Sequence, residues 1–325
     1  MRIGIIGYKN QSYKLFTVIK KTKLVKKFYF YHPDLSSLIN LKKEKNIITT
    51  NILSDLYELD GVIIASPSDT HFFYLKKFIN KKPYIFCEKP CFTSINEFNE
   101  LKSLNARHKK KIIFNFCLSY SPIFQIIKKY INKKKLGKMI FANINYTIGI
   151  AYKKDFKNNW RFKKNLFFNI AGNLGIHFAK IFFDFFGLPN NFYIKNKSIK
   201  KNVIDTATLL LKKNSQEMRI NLSYAAPYFF NMLFMFSNGY IEFSNNNLKI
   251  FYPRNSFDNK NYFITPPRKT LLKKLDFSKN LKIGTIRILN YFLYVIKNKK
   301  KFNLNEFNNS LIVNKLFIKS DNNLK

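Results

Sequence analysis

The stretch of this chain best suited to chemistry is Tyr84-Ile85-Phe86-Cys87-Glu88-Lys89-Pro90. Its apolar first half reads as a short buried strand. In an open parallel sheet, ligands bind in the crevice outside the carboxyl ends of the strands, which is where Glu88 and Lys89 would stand. A lysine ammonium there can donate to a substrate oxygen, or exchange a proton with it where burial lowers its pKa. Pro90 stops the strand and stiffens the turn, and the bond before it is a candidate for the cis form. Taken alone, Glu88 and Lys89 also describe an ordinary solvated turn. Their meaning depends on the elements that position them.

The elements before this stretch alternate. Arg2 to Gly7 reads as a strand, and Leu15, Phe16 and Ile19 mark the buried face of a helix. Strand, glycine turn and helix in this order open a dinucleotide-binding unit. The G-x-G-x-x-G pattern maps onto Gly7, Lys9 and Ser12, with Asn10 inside the same loop, so only the first glycine is kept. Lys9 either contacts a phosphate or blocks it. A second strand, Lys27 to Tyr31, ends in Tyr31-His32-Pro33-Asp34, where an acid for a ribose hydroxyl would be expected. Asp34 comes late, and His32 either faces an adenine or 2′-phosphate or serves the turn.

A short strand over Asn46–Thr49 and a helix through Asp55-Leu56-Tyr57-Glu58-Leu59 follow. The next strand, from Asp60 to Ala65, is stopped by Ser66-Pro67. His71 then falls in the first turn of a helix, where the helix dipole lowers an imidazole's pKa. Ser94-Ile95-Asn96-Glu97 is a capping box, and Lys111 to Cys117 makes another strand. This alternation predicts a parallel α/β domain over residues 1–118.

The rest, 119–325, reads differently. A helix carrying Ile123, Phe124 and Ile127 ends near Gly137, and Met139 to Ile148 is a strand. Trp160 and Arg161 follow in a loop, where Arg161 either holds a phosphate or carboxylate or is clamped structurally by Trp160. A helix from Gly172 to Phe186, stopped at Gly187, carries His177. From its residues alone, His177 reads as a core histidine. Strands at Asn191–Ile194, Thr206–Leu211 and Arg219–Tyr224 lead to a hairpin whose Asn238-Gly239 suggests a type I′ turn. The polar stretch 255–268 reads as a loop beside a pocket, and helices over Leu281–Ile296 and Asn305–Ile318 close the chain. Consecutive strands with short turns predict a mainly antiparallel sheet.

A chain of 325 residues with 46% hydrophobic residues supports two packed domains. No window suits a membrane span. The greasiest, Leu166 to Leu188, is interrupted by Asn169, Asn173, His177, Lys180 and Asp184. No signal peptide is read at the start, and a cytoplasmic protein is expected. Cys87, Cys91 and Cys117 fit neither a disulfide framework nor a zinc spacing, so buried thiols and no metal are expected. The net charge of +40 raises the question of nucleic acid. Lysine is spread along the chain together with Asn, Ile, Phe and Tyr, the composition an AT-biased genome produces, and no specific nucleic-acid binding is expected.

Several motifs stand together in order: Ile3-Gly4-Ile5-Ile6-Gly7; Asp60-Gly61-Val62-Ile63-Ile64-Ala65-Ser66-Pro67 with His71; Cys87-Glu88-Lys89-Pro90; Leu136-Gly137-Lys138; Trp160-Arg161; and Gly172-Asn173-Leu174-Gly175-Ile176-His177. With these the chain resembles the glucose–fructose oxidoreductase / inositol dehydrogenase (Gfo/Idh/MocA) family, over nearly its whole length and most firmly over residues 1–190. The resemblance implies a doubly wound Rossmann domain followed by an α+β domain with a large open, mainly antiparallel sheet. It implies bound NAD or NADP and hydride transfer to or from a hydroxyl carbon of a sugar, cyclitol or nucleotide-sugar. It also implies homodimers or homotetramers through the C-terminal sheet.

By position, Lys89 matches the family's active-site lysine, fixed by Glu88 and Pro90, and His177 its catalytic or substrate-binding histidine. Gly7, Lys9, Asn10, Ser12, His32, Ser66, Pro67, His71, Glu88 and Lys89 fall in the cofactor region. Asn173, Tyr120, Trp160 and Arg161 fall in the substrate region. The chain departs from the family where Asn173 replaces an acid, at Lys9 and Ser12, and at Cys117-Leu118-Ser119. The alternative these departures raise is a family member that has lost catalysis and serves as a binding or structural protein.

Overall fold

The computed structural model describes residues 1–41, 45–133, 136–154, 169–200, 203–251, 257–263 and 269–319. The chain divides into two compact units. One is Met1–Cys117 with Thr285–Lys315, and the other is Leu118–Gly284 with Leu316–Lys325.

The first unit alternates strands and helices. In order these are β1 (Arg2–Ile6), α1 (Asn10–Ile19), β2 (Lys27–Tyr31), β3 (Ile47–Thr50), β4 (Gly61–Ile64), α2 (His71–Phe78), β5 (Tyr84–Cys87), α3 (Ile95–Ser103), α4 (Ala106–Lys109) and β6 (Ile112–Phe114). The strands form a six-stranded sheet ordered β3-β2-β1-β4-β5-β6, and every pairing in it is parallel. This is the doubly wound order, and its direction reverses between β1 and β4. Sheets covered on both faces carry near-continuous apolar strands, and Gly61-Val62-Ile63-Ile64 is buried at every position.

The capping box after β5 forms with one change. The Ser94 hydroxyl accepts the Glu97 N–H at 3.2 Å, but the Glu97 carboxylate reaches back to the N–H of Thr93 at 2.6 Å rather than to that of Ser94. The expected helix at Asp55–Leu59 is a shorter 3₁₀ turn, Leu53–Leu56.

The second unit holds α5 (Pro122–Asn132), β7 (Met139–Thr147), α6 (Ile176–Phe186), β8 (Asn191–Lys197), β9 (Thr206–Lys213), β10 (Gln216–Ser223), β11 (Phe229–Phe236), β12 (Gly239–Ser244), β13 (Asn247–Phe251) and β14 (Lys269–Lys274). Its sheet of eight strands runs β14-β13-β12-β11-β7-β10-β9-β8. All pairs are antiparallel except β7 with β10. The strands alternate buried and half-exposed positions, as in β11 and β12, so one face is packed and the other is open.

The type I′ turn lies elsewhere than expected. β11 and β12 are joined through Ser237 and Asn238, with Phe236 opposite Gly239. The two consecutive left-handed residues such a turn requires are Asn245 (φ 48°) and Asn246 (φ 59°), between β12 and β13, where Ser244 pairs with Asn247.

Two helices close the chain, α7 (Phe277–Lys297) and α8 (Leu304–Lys319). The sequence reading assigned all of 119–325 to the second domain, whereas Thr285–Lys315 belongs with the first unit. The reason is aromatic packing. Phe292 lies 5.5 Å from the ring of Phe86 on β5, Phe307 lies 5.4 Å from Phe114 on β6, and the Tyr84 hydroxyl donates to the Lys300 carbonyl at 2.8 Å. Gly61 admits this contact: a Cβ there would come within 2.7 Å of Ile296 Cδ1. Among the described residues no helix is long and apolar enough to cross a membrane.

Candidate active site

In the first unit, the loops at the carboxyl edge of the parallel sheet converge on the reversal between β1 and β4. Gly7, directly after β1, adopts φ +97°, and a Cβ on it would lie 2.7 Å from the Ala65 carbonyl oxygen after β4. Only glycine accommodates both the left-handed backbone and that approach. The two departures from the glycine fingerprint fit without strain. Lys9 has φ −82° and ψ −175°, ordinary extended backbone, and its side chain is exposed. Ser12 is fully buried, and its hydroxyl donates to the Lys9 carbonyl at 2.7 Å.

Lys9 is the N-cap of α1, and no side chain caps that helix. The N–H groups of Asn10, Gln11 and Ser12 therefore meet the requirement of a pyrophosphate site, in which first-turn donors of a helix face an anion. The residues present fit a dinucleotide.

β5 delivers Glu88 and Lys89 to the same edge, and the Lys89–Pro90 bond is cis. Glu88 is buried. One of its oxygens accepts from the Gln11 amide at 2.7 Å and from the Asn115 amide at 2.6 Å. A buried carboxylate needs such donors. Here they come from α1 and from the residue after β6, so three loops of the crevice are tied to the strand end that carries Lys89. Sequence reading missed both as site residues. Their signal was positional, since Gln11 stands in the first turn after the glycine loop and Asn115 directly follows a strand.

His71 is 1% exposed. Its Nδ1 lies 2.7 Å from the Pro90 carbonyl oxygen, and its Nε2 lies 2.9 Å from the Ser66 carbonyl oxygen. The imidazole thus braces the turns after β4 and β5 from beneath. The Thr70 hydroxyl adds a bond to the Ser66 hydroxyl at 2.7 Å and another to the Pro67 carbonyl at 2.7 Å. Burial lowers the pKa of His71 and outweighs the carbonyls and Glu88, which raise it; Lys89 lowers it further.

An imidazole with a folded pKa below its unfolded value of about 6.5 contributes stability that is complete above that pH. The contribution falls as pH drops toward the folded pKa. We therefore expect the stability difference between wild type and His71→Gln, from denaturant titrations, to be largest above pH 6.5 and to shrink in acid. A difference that grows in acid would contradict this account.

The three thiols are free and buried. Burial raises all three, Cys117 to about 11 and Cys87 and Cys91 well above the ordinary range. None is poised as a nucleophile.

His32 and Asp34 follow β2. The Asp34 carboxylate accepts from the Ser36 N–H at 2.9 Å and from the Ser36 hydroxyl at 2.7 Å, and it caps a 3₁₀ helix over Leu35–Leu41.

In the second unit, Asn173 and His177 lie in consecutive helical segments, both half-buried. The expected regular helix from Gly172 begins instead with a π-helical turn, Ala171–Gly175, before α6. Buried Asn169 organises its start, since its side-chain oxygen accepts from the N–H of Ala171 at 2.9 Å and of Gly172 at 3.3 Å. Such turns carry i→i+5 hydrogen bonds in place of i→i+4 and appear frequently at functional sites. The Asn173 amide nitrogen donates to the hydroxyl of Tyr224 at 2.6 Å. Tyr224 is fully buried, and no local sequence signal marks it. Tyr120 ends a 3₁₀ turn from Cys117 and is half-exposed. Trp160 and Arg161 lie outside the described residues, as does half of the loop 255–268, of which 257–263 are described. No cluster of His, Cys, Asp or Glu that could hold a metal occurs among the described residues.

The chain is similar to a solved oxidoreductase from Agrobacterium radiobacter in complex with NAD+, L-tartaric acid and magnesium, with a TM-score of 0.78 at 15% identity over 100% of this chain and 97% of that one. It is similar also to myo-inositol 2-dehydrogenase from Lactobacillus plantarum, with a TM-score of 0.78 at 18% identity over 100% and 98% of the two chains. At these identities the likeness is one of fold. Among curated proteins, glucose-6-phosphate 3-dehydrogenase of Bacillus subtilis is 25% identical over 167 residues, 50% of this chain and 47% of that protein. The chain spans less than half the length of the first curated relatives it matches. Residues 1–116 match the model of the Gfo/Idh/MocA oxidoreductase family with an NAD-binding Rossmann fold.

Proposed function

We propose that the protein is an NAD(P)-dependent oxidoreductase acting on a hydroxyl-bearing carbon of a sugar, cyclitol or nucleotide-sugar. The observation that carries this reading is the delivery of Lys89 by β5 to the same sheet edge as the left-handed Gly7 turn and the uncapped start of α1. The nicotinamide, when bound, supplies or accepts the hydride. Lys89 donates a hydrogen bond to the reacting oxygen and takes or returns its proton, a role suited to an ammonium at a strand end. Gln11 and Asn115 hold Glu88, and so fix the backbone from which Lys89 projects.

His177 is the second proton-handling group. Asn173 orients the substrate hydroxyl with its amide held at the nitrogen end by Tyr224, and Tyr120 contributes a further substrate contact. Asparagine binds a hydroxyl without accepting its proton, so proton transfer rests on Lys89 and His177. The substrate class is supported by the relatives named glucose-6-phosphate 3-dehydrogenase and inositol 2-dehydrogenase.

The test is a reduction and oxidation assay with both nicotinamide nucleotides against a panel of cyclitols, aldose phosphates and nucleotide-sugars. Turnover of one class is expected. A folded protein that turns over none and binds neither nucleotide would leave a scaffold without catalysis.

A homodimer or homotetramer through the open face of the second sheet is part of the same proposal. On that face Thr208, Asn221, Asn145 and Asn231 form a hydrogen-bonded row across four strands, flanked by half-exposed Phe141, Leu233 and Met235. Light scattering of the purified chain is expected to give twice or four times the monomer mass, and a monomer at micromolar concentration would refute it.

A further inference from the structure

We infer that the adenosine end of the first unit is built for a 2′-phosphate, with His32 as the discriminating residue, so that the chain takes NADP(H) in preference to NAD(H). The inference rests on the dinucleotide reading above and goes beyond it. In NAD-type units, an acid at the end of the second strand hydrogen-bonds the ribose hydroxyls, and its negative charge excludes a phosphate there. Between Tyr31 and Leu41 the only acid is Asp34.

Asp34 is already committed. One oxygen accepts the Ser36 N–H at 2.9 Å, and the other accepts the hydroxyls of Ser36 at 2.7 Å and Ser37 at 3.2 Å. The Ser36 hydroxyl is the largest cause holding the carboxyl below its ordinary range. Turning Asp34 toward a ribose would uncap the 3₁₀ helix that follows. At the end of the neighbouring strand, where the Thr50 carbonyl accepts the His32 N–H at 3.2 Å, the nearby Asp55 carboxylate is engaged as well, by the Thr50 hydroxyl at 2.5 Å. Among the described residues at this corner, both carboxylates are therefore already engaged by other donors.

The corner does offer donors. His32 is half-exposed. Its Nδ1 is pinned against the Asp34 backbone, 2.8 Å from the carbonyl oxygen and 3.1 Å from the N–H. Nε2 makes no hydrogen bond among the described residues and is the nitrogen able to serve a ligand. Tyr8 packs edge-on against the imidazole at 5.8 Å, which fixes the ring beside the loop that begins at Gly7. Lys9 follows Tyr8 in that loop, exposed. A phosphate monoester here would meet the imidazole of His32, with the exposed Lys9 in the adjoining loop.

The test is equilibrium titration of the full chain with NADPH, NADH, 2′,5′-ADP and 3′,5′-ADP, in wild type and His32→Ala. NADPH is expected to bind at least about tenfold more tightly than NADH, and 2′,5′-ADP more tightly than 3′,5′-ADP. In His32→Ala the NADPH advantage is expected to narrow while NADH affinity holds. Equal or tighter binding of NADH, equal binding of the two ADP isomers, or parallel losses for both dinucleotides in the variant would overturn the inference and leave the oxidoreductase reading standing. The isomer comparison removes the general attraction of a +40 chain for phosphate, because both isomers carry the same charge. If none of the four ligands binds, the dinucleotide reading itself fails and this inference with it.

Discussion

Replacing Lys89 by alanine is expected to lower kcat/KM by about 10²–10⁴-fold, the usual contribution of a positioned acid–base group, with the fold and nucleotide affinity retained. Lys89 is half-exposed, and the strand that delivers it is held through neighbours: Ile85, Phe86 and Cys87 are buried in the sheet, and Glu88 is bound by Gln11 and Asn115. Removing the lysine side chain leaves these contacts in place. Lys89→Arg sharpens the test. Guanidinium keeps the charge and still donates, but it does not release a proton in the working range. If the lysine acts only as a hydrogen-bond donor, arginine restores much of the rate. If it moves the proton, arginine stays near the alanine level. Near-normal turnover in Lys89→Ala would remove Lys89 from the reaction.

The second large effect is expected at Gly7. Gly7→Ala places a carbon 2.7 Å from the Ala65 carbonyl oxygen at φ +97°. The left-handed backbone alone costs roughly 1–3 kcal/mol, and the contact with backbone forces the turns after β1 and β4 apart. Loss of that order in unfolding free energy is expected, with nucleotide affinity reduced by about tenfold or more. Gly4→Ala is the control. Its added carbon meets side-chain carbons of Leu56 and Leu59, the nearest at 2.9 Å, so it overpacks the core beneath β1 but leaves the loop after β1 in position. It is expected to lose stability without a matching loss of affinity. A Gly7→Ala protein that binds nucleotide like wild type would show that this turn does not shape the cofactor site.

Much of the Rossmann unit was legible because its signals are local. Short β-branched strands, the glycine after the first of them and the Ser94 cap each act within a few residues. The Glu88-Lys89-Pro90 turn was legible for the same reason, as a strand end followed by polar residues and a proline.

Other features depended on partners distant in sequence. Gln11, 77 residues from Glu88, gives no sign of that bond in its neighbourhood, nor does Tyr224, 51 residues from Asn173. The type I′ turn was misplaced because Asn-Gly and Asn-Asn both tolerate left-handed backbone, and the pairing of whole strands chose Asn245-Asn246. β14 and the parallel β7–β10 pair were set by the sheet, which selects register and neighbours over long separations.

By itself the sequence determined the order of strands and helices in the Rossmann unit, the residue types offered at Lys89 and His177, and a resemblance to the Gfo/Idh/MocA family. Periodicity and turn chemistry are short-range, and they suffice for that. Tertiary structure alone decided that Thr285–Lys315 packs with the first unit, because aromatic faces on α7 and α8 find theirs on strands some two hundred residues earlier. It alone decided that Asp34 is committed to Ser36 and Ser37 rather than left for a ribose. An aspartate's letter in the sequence shows that a charge is present, and only the hydrogen bonds around it show whether that charge is already engaged.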